Sequence, residues 1–166
     1  DTSAAVEALG ALDVIRPEKI YLAGWSLGGK VALWTAALNP DVAGVAVSGA
    51  FTPLRDASRE TEGLRHYSHL HGLLPRLGFY LGKEREVPVD YAEIVAGIAP
   101  RPVLVRAPTL DRYADREAVS AALAQAGKAW AHAESKLMVQ EPRDFARFGA
   151  AAQAEVFGVL QKWASE

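Results

Sequence analysis

One stretch constrains the fold more than any other: Ile20-Tyr21-Leu22-Ala23-Gly24-Trp25-Ser26-Leu27-Gly28-Gly29-Lys30. The apolar run Ile20 to Ala23 reads as a buried strand. From Leu27 to Leu38 an Ala/Leu pattern reads as a helix, ended by Asn39-Pro40. The chain must therefore pass from extended to helical backbone within Gly24 to Gly28. Ser26, at the centre of so tight a turn, is expected to take a strained conformation. Gly24 and Gly28 carry no Cβ and leave it room, and Gly29 lets the helix pack closely on the strand. Gly-x-Ser-x-Gly alone is a loose pattern, and the strand before it and the helix after it make it informative. The Ser26 hydroxyl would stand near the positive end of the helix dipole, with the Leu27 N–H pointing toward the same space. The plain alternative is that Ser26 is only the helix N-cap.

The rest of the chain repeats the alternation. Ala4 to Leu12 reads as a helix, with Thr2 or Ser3 as its cap. Val42 to Val47, Pro102 to Val105 and Leu137 to Val139 read as further apolar strands. Arg116 to Ala126 reads as a helix stopped by Gly127, and Gly149 to Trp163 as a terminal amphipathic helix. Apolar strands separated by helices predict an α/β protein: a parallel sheet of about four strands, covered on both faces. Phe51 to Pro100 breaks the alternation, with helical stretches at Thr61 to Leu74 and Tyr91 to Ile98. It reads as a cap-like excursion over the sheet's C-terminal edge, where ligands bind in such folds.

At 166 residues, 50% of them hydrophobic, the chain suits one domain with a real core. With a net charge of -2, nothing argues for nucleic acid or an anionic membrane surface, and neither is expected as a partner. No apolar run approaches the ~18 residues of a membrane span. Without cysteine there are no disulfides and no thiolate metal ligands. Compartment stays open.

The Ile20 to Lys30 stretch, with Arg101-Pro102-Val103-Leu104-Val105 and Pro108-Thr109-Leu110-Asp111, resembles the α/β-hydrolase superfamily, in particular its dienelactone hydrolase and acetyl xylan esterase-like branch. The likeness is to the C-terminal half of that fold, so residues 1–166 would form a partial domain lacking the N-terminal strands. It implies a nucleophile elbow of Gly24, Ser26 and Gly28, with Ser26 the catalytic nucleophile and Leu27 N–H an oxyanion donor. It implies Asp111 as the acid that orients a histidine, with Asp115 as runner-up. Asp111 could instead cap the following helix. The implied substrate is a small carboxylic ester or lactone, and no cofactor or metal is implied.

The family's histidine follows its last strand, but Gln140-Glu141-Pro142-Arg143-Asp144-Phe145 contains none. Arg143 stands at the expected place and cannot serve as a base, since it stays protonated. His132 precedes the last strand, at the wrong end of the sheet. His66, His69 and His71 lie in the excursion, where one could reach Ser26. His66 and His69 could also share a helix face with Glu62, but no third histidine has metal-ligand spacing. Two readings follow: an esterase-type hydrolase acting through Ser26, incomplete or impaired as this chain, or a catalytically silent hydrolase-like domain with a binding or structural role. The strand Ile20 to Ala23 carries no charge or proline to protect an edge. It is expected to pair with a missing N-terminal segment or to self-associate.

Overall fold

A computed structural model describes residues 1–55, 63–64, 75–131 and 136–166. The expected helix Thr61 to Leu74 falls almost wholly outside them, as do His66, His69, His71 and His132. Four strands, β1 (Tyr21–Trp25), β2 (Gly44–Ser48), β3 (Val103–Arg106) and β4 (Leu137–Gln140), form one sheet in the order β1-β2-β3-β4. Every neighbouring pair is parallel. Among the described residues five α-helices of six or more residues flank it: α1 (Thr2–Gly10), α2 (Leu27–Leu38), α3 (Tyr91–Ala96), α4 (Arg116–Gly127) and α5 (Ala150–Ser165).

Each strand runs one or two residues past its apolar stretch. Trp25, Ser48, Arg106 and Gln140 lie side by side in register and close the sheet's C-terminal edge. Hydrophobicity stops before pairing does, because the ladder needs only backbone groups. The row Leu22, Val45, Val103 and Leu137 faces α2, α3 and α4, where the main core lies. The next row places Ala46, Leu104 and Met138 against Val156, Val159, Leu160 and Trp163 of α5. Both faces are thus covered, which is why β2 and β3 are buried throughout.

Local chemistry sets the helix ends, and it differs from expectation in places. Asp1, rather than Thr2 or Ser3, caps α1 by accepting from the Ala4 N–H at 3.0 Å. α3 stops at Ala96, two residues short of the expected Ile98. It opens with a capping box, in which the Asp90 side chain accepts from the Glu93 N–H and the Glu93 side chain accepts from the Asp90 N–H; Asp90 accepts from the Tyr91 N–H as well. Asp90 also accepts from the Leu54 and Arg55 N–H groups at 2.8 Å, and Phe51 stacks on Tyr91 with ring centroids 4.6 Å apart. These ties bind the two described ends of the Phe51 to Pro100 segment together. Its last helix, α3, packs beside α2 and α4 on the main core and serves as the crossover between β2 and β3.

Candidate active site

The turn after β1 is built by exclusion. Ser26 has φ 50° and ψ -121°, and it is the one non-glycine residue with positive φ among those described. A Cβ at Gly24 would lie 2.4 Å from the Gly28 carbonyl oxygen, so no other residue fits there. A Cβ at Gly29 would lie 2.8 Å from that of Ala50, so α2 sits against the β2 end at glycine distance. Gly28 is different from expectation: a Cβ there would meet nothing within 4 Å among the described residues. Its backbone carbonyl instead occupies the space that a Cβ on Gly24 would need.

Ser26 stands at the N-cap position of α2, yet its side chain makes no capping hydrogen bond. The plain N-cap reading therefore fails on the side chain. The hydroxyl is left at the sheet's C-terminal edge, while the Ser26 N–H donates to the Ser48 carbonyl at 3.1 Å. Leu27 opens α2, where the first N–H groups have no helical carbonyl to bond.

Asp111 lies in the loop after β3. Its Oδ1 accepts from the Tyr113 N–H at 3.0 Å, and its Oδ2 would be 3.6 Å from a Cβ built on Gly49. Asp115, not Asp111, caps α4 by accepting from the Ala118 N–H at 3.0 Å. The capping alternative for Asp111 is therefore overturned, because Asp115 fills that place. Ser26 and Asp111 line one cavity of 220 Å³ with Trp25, Thr52, Tyr113 and Ala146. Arg143 is exposed and is not among the described lining residues. Among the described residues no group of three His, Asp or Glu side chains could hold a metal ion.

Three residues that shape this site carried no signal in the sequence. Thr52 is buried, and its Oγ donates to the Tyr113 carbonyl and accepts from the Asp115 N–H, stitching the β2 and β3 loops together. Arg106 and Asp144, 3.3 Å apart, join the β3 end to the β4 loop. Each is an ordinary polar residue until the strands are in register.

The sheet order and the strained serine turn are those of an α/β-hydrolase fold, and the similarities that follow support a relationship to that superfamily. Residues 1–75 match the model of the prolyl oligopeptidase family. Carbohydrate esterase MZ0003, from an unknown prokaryotic organism, is 30% identical over 102 residues, covering 59% of this chain and 24% of that one. Among solved structures, a promiscuous CE15 esterase from the marine bacterial metagenome superposes with a TM-score of 0.77 at 22% identity, over 99% of this chain and 46% of that one. A CE15 glucuronoyl esterase from Teredinibacter turnerae gives 0.77 at 19%, over 97% and 44%. The glucuronoyl esterase catalytic domain from Hypocrea jecorina gives 0.76 at 18%, over 99% and 50%. The chain spans no more than half the length of these relatives.

Proposed function

We propose that the chain carries the nucleophile and acid of a serine esterase site, acting through an acyl-enzyme on Ser26. The observation that carries this is the uncapped Ser26 hydroxyl on a positive-φ turn, sharing one cavity with Asp111. Ser26 Oγ attacks the ester carbonyl carbon and gives its proton to a base. The Leu27 N–H donates to the oxyanion that forms, as the pre-aimed donors of such sites do. The leaving alcohol departs with the proton, and water then hydrolyses the acyl group from Ser26. Asp111 orients the base and stabilises its cation. Carboxylic esters or lactones are the substrate class, and sugar esters are the first to test, given the carbohydrate esterase relative.

The base is where this chain departs from the pattern, because Arg143 occupies the expected place. Turnover by these residues alone is therefore expected to be weak. The test is hydrolysis of an activated aryl ester by the protein and by Ser26→Ala. Slow turnover abolished in Ser26→Ala supports the reading, and turnover that survives Ser26→Ala contradicts it. Robust Ser26-dependent turnover would contradict the impairment and direct substitution to His66, His69 and His71. We also propose that β1, an edge of the described sheet, is a pairing surface for a further segment or a second copy. Light scattering showing a strictly monomeric protein would oppose self-association.

A further inference from the structure

Arg106 and Asp144 take no part in that chemistry, yet both reach the loop that carries Asp111. Arg106 ends β3 and is 2% exposed. Its Nε donates to Glu155 Oε2 at 2.7 Å and its Nη2 to Asp144 Oδ2 at 3.3 Å, while Nη1 has no partner among the described residues. A buried guanidinium is unfavourable unless carboxylates compensate it, which these two do. Asp144 is held in turn: its Oδ1 accepts from the Phe145 N–H at 2.8 Å and from Arg147 Nε at 3.1 Å. The Phe145 N–H bond, opposed by partial desolvation and joined by Arg106 and Arg147, keeps the Asp144 carboxyl below the ordinary carboxylate range. It is therefore charged at neutral pH.

The backbone of Asp144 makes the connection to the site. Its carbonyl accepts from the Leu110 N–H at 3.0 Å, one residue before Asp111. Thr109 N–H donates to the Pro142 carbonyl at 2.9 Å, and Ala107 N–H to the Gln140 carbonyl at 2.7 Å. The β3–β4 pairing thus continues beyond the strands, rung by rung, up to the candidate acid. Loop rungs of this kind open easily in water unless something fixes the last one. A charge-assisted bond, about twice as strong as a neutral one, can do so. Ala146, two residues past Asp144, lines the same cavity as Ser26, so whatever holds Asp144 also bears on that wall.

We propose that the Arg106–Asp144 pair is a clasp that positions Asp111, and with it the Ala146 wall, against Ser26. The proposal rests on the reading of Ser26 and Asp111 as catalytic partners. Arg106 and Asp144 are positioning residues in it, while Glu155 only balances the charge of Arg106 from α5.

The test is residue-resolved amide hydrogen exchange on the protein and on Asp144→Ala, Arg106→Lys and Glu155→Gln, with urea unfolding of each. Asp144→Asn, which keeps the side chain's shape, replaces Asp144→Ala if that variant does not fold. Relative to reference amides in α2, exchange at Thr109 and Leu110 is expected to rise about tenfold in the Asp144 and Arg106 variants. It should stay at the starting value in Glu155→Gln. Unchanged exchange at Leu110 in the Asp144 variants would overturn the clasp. An equal rise in Glu155→Gln would overturn it too, because loss of charge compensation alone would then open the loop. Ser26 labelling by a fluorophosphonate, measured on the same samples, keeps the two ideas apart. Exchange that behaves as expected in a protein that never labels leaves the clasp standing and removes the catalytic reading.

Discussion

Two connections leave the same end of the sheet and meet in the same cavity, and they are held by different physics. The turn after β1 presents Ser26, and the loop after β4 presents Ala146. The first is dictated by contacts within five residues, where Gly24 must lack a Cβ to clear the Gly28 carbonyl and Ser26 absorbs the strain. The second is held from a distance, by Arg106 of β3 and the rungs to Thr109 and Leu110. Steric turns confine their information to consecutive residues, whereas charge clasps spread theirs over the whole fold.

That contrast can be broken by substitution, and the largest effect belongs to the steric turn. Gly24→Ala places a methyl 2.4 Å from backbone oxygen and is expected to destabilise the protein by about 4 kcal/mol, as backbone clashes with no way to relax do. Chemical denaturation measures it. Next, Ser26→Gly removes the strain of a positive-φ side chain and should stabilise by about 1 kcal/mol, part of the relief being offset by glycine's flexibility in the unfolded chain. A loss of stability there would mean that the turn is not strained. Smallest is Gly28→Ala, which should change stability by less than about 0.5 kcal/mol because the new methyl meets open space. A large loss in that variant would erase the distinction between Gly24 and Gly28.

The same contrast explains what could be read in advance. The parallel α/β architecture, the four strands and the serine turn were legible, because each rests on short-range periodicity or on one five-residue motif. Strand ends were misplaced by one or two residues. Trp25, Ser48, Arg106 and Gln140 pair through backbone while their side chains break the apolar pattern. Asp111 was preferred to Asp115 as the acid, but whether Asp111 instead capped the following helix was open from sequence. The structure settles only the cap, which is Asp115, whose carboxylate meets the Ala118 N–H. Gly28 was credited with a steric role that belongs to Gly24 and Gly29, because adjacent glycines look alike until the helix is docked on β2. Thr52, Arg106 and Asp144 were invisible for the reason that makes them useful: their partners lie 38 to 63 residues away along the chain.

The central claim is that this turn presents a reactive serine. Its most direct measurement is intact-mass and peptide mapping of the protein after incubation with a fluorophosphonate probe. One adduct per chain, on the peptide containing Ser26 and absent from Ser26→Ala, is the result expected, formed slowly because Arg143 stands where a base would be. A protein that stays unmodified at Ser26 while other sites react, or one whose labelling survives Ser26→Ala, would contradict the account.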